Sequence, residues 1–231
     1  MAVGKVLVVG IGSGERRTLT VEALQAIAES DVIVGYKTYI DLIQDIIDRQ
    51  QVVSSGMGRE VDRGLKALEL AESGLAVSVI SSGDPGVYGM AGVMLELVHQ
   101  RKSHVPVRII PGLTAANLAA AALGAPLMND YAVISLSDLL TPWKKIAARI
   151  ELCAKADMVI CLYNPKSLGR TEQITWAWEI LSRHRPPETP VGAVKNAGRS
   201  GQEVITSTLG ALPDLDLDMS SLVIVGCGAT F

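Results

Sequence analysis

The chain has 231 residues and a net charge of −3, with 48% hydrophobic and 19% charged residues. That composition excludes a disordered chain and provides for a sizeable core, at a length comfortable for two domains. The absence of a long basic run argues against a nucleic-acid partner, and no apolar run is long enough to span a membrane.

Aromatic residues are scarce, with one Phe, five Tyr and three Trp, so the core must be aliphatic, which suits sheets covered by helices. Cys153, Cys161 and Cys227 show no Cys-x-x-Cys spacing and sit among apolar neighbours, as reduced core residues do. His99, His104 and His184 are too scattered for a metal site, and none is expected. A first strand so near Met1 leaves no room for a signal peptide, and a cytoplasmic protein is expected.

In chain order, Lys5 to Val9 reads as a strand apolar on both faces, followed by Gly10-Ile11-Gly12-Ser13-Gly14. Thr20 is placed to cap a helix whose inner stripe is Val21, Leu24 and Ile27. This resembles a dinucleotide-binding fingerprint, but Glu15 stands where a third glycine or alanine belongs. No carboxylate closes the second strand, Asp31 to Val34, which counts against NAD. A helix over Ile40 to Ile47, a short strand over Gln51 to Val53 and a helix over Glu60 to Glu72 come next, the last with Val61, Leu65 and Leu68 inward. Val77 to Ile80 forms a strand that runs into Ser82-Gly83-Asp84-Pro85-Gly86-Val87-Tyr88. In that elbow Gly83 and Gly86 allow backbone angles closed to side chains, and Asp84 stands at the carboxyl end of a strand, where open α/β sheets bind ligands. Met90, Val93, Met94, Leu97 and Val98 repeat at helical spacing and read as core.

Pro106 to Ile110 is a fifth strand, ending in a second elbow, Pro111-Gly112-Leu113-Thr114-Ala115, before an alanine-rich helix. Thr114 suits either a helix cap or a hydroxyl donor to a ligand. Residues 125–130, punctuated by Gly124 and Pro126, are expected to link an N-terminal domain (1–124) to a C-terminal one (131–231). The second domain opens with a strand over Tyr131 to Leu136. Thr141 and Pro142 start a helix with Ile146, Ile150 and Cys153 inward, and Met158 to Leu162 is a strand. A helix facing inward through Ile174, Ala177, Trp178 and Leu181 precedes three closing strands, Pro190 to Lys195, Glu203 to Thr206 and Leu222 to Val225. The first two closing strands are joined by a hairpin loop over Asn196 to Gly201. The expected fold is therefore α/β in two domains, a mainly parallel sheet followed by a mixed one, with a ligand cleft between them.

Taken together, Gly10-Ile11-Gly12-Ser13-Gly14 with Leu19-Thr20, the Gly83 elbow, Pro111-Gly112-Leu113-Thr114-Ala115 and Pro190-Val191-Gly192-Ala193-Val194 resemble the tetrapyrrole methylases. This family methylates ring carbons of precorrins and related macrocycles with S-adenosylmethionine. Four further segments, around Gly35-Tyr36-Lys37, Ser55-Gly56-Met57-Gly58, Ser137-Asp138-Leu139 and Tyr163-Asn164-Pro165-Lys166, resemble the branch of cobalamin biosynthesis that acts on C(17). Lys195-Asn196-Ala197-Gly198-Arg199 extends the likeness, while Ser13 stands where the family usually carries proline and so implies a looser backbone.

The resemblance implies methylation of precorrin-3B at C(17) with ring contraction, giving precorrin-4. Methylation of the same carbon of cobalt-factor III is the alternative; an NAD-dependent oxidoreductase and a non-catalytic nucleotide-binding regulator are distant ones. It further implies S-adenosyl-L-methionine as cofactor, S-adenosyl-L-homocysteine as its product, a tetrapyrrole substrate and a homodimer. By resemblance, Ile11, Gly83, Asp84, Val87, Tyr88, Thr114, Ala115, Leu162, Tyr163, Ala193, Ser220 and Ser221 hold the cofactor, largely through backbone groups. The glycines would then leave room for an adenosine lying against the main chain. Ring contraction needs proton movement, for which Asp138 and Lys195 are the candidates. The substrate's acetate and propionate groups call for cations, and Arg16, Arg17, Lys37, Arg59, Lys166, Arg170 and Arg199 lie on or near the ligand-side loops. Most of these are expected to be solvated surface charges and a minority to touch substrate.

Overall fold

In the computed structural model, which describes residues 4–167 and 169–231, the chain forms two compact units, Met1–Thr114 and Ala115–Phe231. The first is built on a five-stranded sheet of β1 (Lys5–Gly10), β2 (Val32–Tyr36), β3 (Gln51–Ser55), β4 (Ala76–Ser81) and β5 (Val107–Ile110). The strand order is β3-β2-β4-β1-β5, and every pairing is parallel. Alternation along β1 sends Val6 and Val8 to one face and Leu7 and Val9 to the other, and all four are buried. Helices α3 (Glu60–Glu72) and α4 (Met90–Arg101) cover the first face through Ala67, Leu68 and Met94. Helix α1 (Val21–Ala28) covers the other through Ala23, Ala26 and Ile27. A strand buried on both faces has no polar side to show, so it reads as an unbroken apolar run.

The expected helix stripes are rotated in two places. Val21 is 71% exposed in the first turn of α1, and Val61 is 54% exposed in the first turn of α3. The expected helix over Ile40 to Ile47 breaks into α2 (Lys37–Asp41) and a single 3-10 turn, Gln44–Ile46, because Ile43 leaves helical angles at φ −121°.

In the second unit, β6 (Tyr131–Ser135), β7 (Val159–Tyr163), β10 (Ser221–Val225), β8 (Pro190–Lys195) and β9 (Glu203–Thr208) lie in that order. Among these strands only β6 and β7 are parallel, so this sheet is mixed, as expected. Helices α6 (Trp143–Lys155) and α7 (Gln173–Leu181) pack on one face around Ile146, Ile150, Leu162 and Val223. On the other face α5 (Ala115–Leu123) sets Ala116, Ala119 and Ala120 against Val194, Leu222 and Ile224. The alanine helix thus goes with the second sheet, and the units divide at Thr114, ahead of the linker read from the sequence at 125–130. Helix α6 starts at Trp143 with Pro142, not Thr141, at its cap position, where a missing N–H removes no helical hydrogen bond. Ala154 occupies the inner stripe of α6 beside a half-buried Cys153.

Candidate functional site

Because the first sheet is parallel, β1, β4 and β5 all deliver their carboxyl ends to one edge, where Gly10 pairs with Ser81. Ile11 N donates to Ser81 O at 3.0 Å. Gly12 and Gly83 then exchange two backbone bonds, Gly12 N to Gly83 O at 3.1 Å and Gly83 N to Gly12 O at 2.8 Å. Their φ values of 57° and 64° lie in the left-handed region, where side chains are strained. The third elbow closes from the β5 side: a Cβ on Gly112 would stand 2.2 Å from Gly83 O, and one on Gly10 2.7 Å from Gly112 N. These glycines therefore make room for one another's main chain.

Asp84 ties the elbows together. Its Oδ1 accepts from Gly86 N at 2.7 Å and its Oδ2 from Gly112 N at 3.1 Å, so one carboxylate links the β4 elbow to the β5 elbow. Gly86 does not take the left-handed angle expected of it; Tyr88 does, at φ 53°, with 56% of its surface exposed. Ser81, which no sequence pattern singles out, accepts from Met90 N at 3.4 Å and so meets the first turn of α4. The backbone at Ser13 is not loose. Ser13 N donates to Thr18 Oγ1 at 3.2 Å, a bond proline could not make, and the two hydroxyls lie 2.7 Å apart.

Ile11, Gly83, Asp84, Val87, Tyr88 and Thr114 are therefore gathered on the elbows of the first unit, with the stretch from Ser82 to Asp84 and Val87 half-buried. The remaining cofactor candidates belong to the second unit. Tyr163 ends β7, Lys195 ends β8, and Ser221 opens the antiparallel β10 between them, so all three share one edge. Leu162 and Ala193 are wholly buried beside Val223, leaving backbone alone to offer. The Tyr163 hydroxyl accepts from Ala116 N at 2.8 Å, in the first turn of α5, next to Ala115. Ser220 and Ser221 both turn their hydroxyls to Asp218 Oδ1, at 2.7 and 2.9 Å. Partial burial pushes the Asp218 carboxyl up, but those serine donors outweigh it and the net shift is downward.

Asp138 lies exposed after β6 and accepts from Gln173 Nε2 at 3.0 Å, at the start of α7. Lys195 Nζ donates to Asp216 Oδ2 at 2.6 Å, and this bond raises the lysine pKa above its ordinary value. A lysine so held keeps its proton, which suits it to stabilise negative charge and not to act as a base. The candidate substrate cations divide between the units. Arg16 and Arg17 form an exposed 3-10 turn after β1, while Lys37 and Arg59 follow β2 and β3 and pair with Asp41 and Asp62 at 3.4 and 2.9 Å. Lys166, Arg170 and Arg199 belong to loops after β7 and β8, where Arg170 Nη2 donates to Asn164 O at 3.1 Å. Among the described residues no cluster of His, Cys, Asp and Glu could hold a metal ion, and no helix is long and apolar enough to cross a membrane.

A family model described as Tetrapyrrole (Corrin/Porphyrin) Methylases matches residues 5–213. The probable cobalt-factor III C(17)-methyltransferase of Salmonella typhimurium is 49% identical over 97% of this chain and 93% of its own. The cobalt-factor III methyltransferase of Priestia megaterium is 48% identical over 99% of this chain, which spans 43% of that longer protein. Among solved structures, the methyltransferase CobJ superposes with a TM-score of 0.93 at 36% identity, covering 99% of this chain and 96% of that one.

Proposed function

Because the chain belongs to the tetrapyrrole (corrin/porphyrin) methylases, we propose that it transfers a methyl group from S-adenosylmethionine to C(17) of cobalt-factor III. The sequence reading put metal-free precorrin-3B first; the names carried by two near-half-identical relatives move the preference to the cobalt-bearing macrocycle. The cobalt arrives as part of the substrate.

The observation that carries the reading is the triple elbow at Gly10–Gly14, Gly83–Tyr88 and Gly112–Thr114, whose first loop is buried and whose other two, tied together by Asp84, present partly exposed main chain. Such a surface fits a nucleotide held by backbone groups, with Gly83, Val87 and Thr114 as its holders in the first unit, while Ile11, wholly buried with its N–H and C=O bonded to Ser81 and Gly14, supports them. Ala115, Leu162, Tyr163, Ala193, Ser220 and Ser221 are its holders in the second. When bound, S-adenosylmethionine supplies a methyl group already activated on a sulfonium. The protein's task is then placement, and Asp84 performs it by keeping two elbows in register. Lys195 retains its proton and steadies negative charge on the macrocycle, and Asp138, oriented by Gln173, is the group left to accept a proton.

Purified protein incubated with S-adenosylmethionine and either cobalt-factor III or precorrin-3B tests this. A mass gain of one methyl group on cobalt-factor III, matched by S-adenosylhomocysteine, is expected. Preferential methylation of precorrin-3B would restore the first reading, and no methylation of either would end both.

A further inference from the structure

Helix α3 buries a guanidinium, and its donors point to a loop that no other part of the mechanism uses. Arg63 is 5% exposed; its Nε donates to Ser55 Oγ at 3.0 Å, its Nη2 to Gly56 O at 3.1 Å, and its Nη1 lies 3.6 Å from Met90 Sδ. A buried charge is costly unless its donors are satisfied, and here two of them fasten the residues that lead out of β3. Beyond that anchor the loop opens. Met57 is 59% exposed, and a Cβ added to Gly56 or Gly58 would meet nothing within 4 Å. The loop is a pedestal, fixed at its base and bare at an apolar tip.

Its position gives it a use. In the order β3-β2-β4 the strands are parallel, so the Met57 loop lies on the same edge as the Gly83 elbow. Two strand spacings separate them, about 10 Å, comparable with the breadth of a four-ring macrocycle. Between them β2 ends in Tyr36, whose ring packs edge to face on Tyr39 at 5.1 Å. The exposed Lys37 and Arg59 flank this strip. An apolar floor with cations at its margin suits a flat ring that carries carboxylates on its periphery.

We propose that Met57 seats the macrocycle of the substrate and that Arg63 is the positioning residue that holds Met57 in place. This rests on the methyltransferase reading. The test combines steady-state kinetics on cobalt-factor III with calorimetric titration of S-adenosylhomocysteine. Met57→Ala should raise the macrocycle KM about tenfold, with kcat, cofactor affinity and melting temperature unchanged. Met57→Leu should recover most of that loss. Arg63→Lys should raise KM as well, since an ammonium cannot reproduce the fork to Ser55 and Gly56. An unchanged KM in Met57→Ala, or a parallel fall in cofactor affinity, overturns the seat while leaving the methyltransferase reading intact. A parental KM in Arg63→Lys overturns the positioning role, and a parent chain that methylates neither macrocycle removes the whole reading.

Discussion

In the proposed reading Asp84 acts on the ligand through backbone. Its two oxygens accept from Gly86 and Gly112, so an amide in its place must turn an NH2 toward one of those N–H groups. Asp84→Asn should therefore destabilise the fold by about 1 kcal/mol, the net worth of one hydrogen bond, since the Gly86 donor is exposed and the Gly112 donor half-buried. Affinity for S-adenosylhomocysteine should fall about tenfold or more, read by urea denaturation and calorimetry. Lys195 yields a prediction in pH. Its pKa is raised by Asp216, so its contribution to stability is present below the ordinary lysine pKa and is lost as pH rises through the raised value. In Asp216→Asn that loss should move to lower pH, seen as an earlier alkaline unfolding limb and an earlier lysine titration by NMR. A titration that stays in place would show that Asp216 does not hold the charge.

Elements reveal how far a sequence can be read. Thr20 caps α1 by accepting from Ala23 N at 3.0 Å, as its place before an apolar period announced. Thr20→Ala should cost about 1 kcal/mol and lower the melting temperature by a few degrees. Met90 and Met94 were legible as core for the same reason, since a 3.6-residue period is written locally. The Asp84 staple was not legible, because Gly112 lies 28 residues away and only strand order brings it near. Nor was the allegiance of α5. Its alanines, Ala115, Ala116 and Ala119 to Ala122, leave Asn117 as the single polar side chain, too little to say which sheet the helix covers. The glycines of the elbows were read as leaving room for a ligand; that Gly10 and Gly112 also leave room for the neighbouring elbow was not legible, because strand order alone brings the elbows together.

At the scale of the whole molecule, each unit has its own core, and the division at Thr114 can be tested by cutting. The fragment from Ala115 to Phe231 should unfold cooperatively, because α5 still covers Cys161, Val194, Leu222 and Ile224. A fragment starting at residue 125 should bare that face and bind a hydrophobic dye, followed by fluorescence and near-ultraviolet circular dichroism. Whether the ring carries a metal was beyond sequence reading, since none of the motifs quoted addresses the centre of the ring. One last matter follows from the place of β1, which is the first strand of the chain yet lies between β4 and β5. On the ribosome, Val6 to Val9 leave the exit tunnel long before either neighbour has been translated. β4 follows roughly 70 residues later, so at about 5–20 residues per second the wait is on the order of 4–14 s. Throughout that interval an apolar stretch that the fold buries on both faces travels unpaired, and cellular yield should depend on whichever chaperone shelters it.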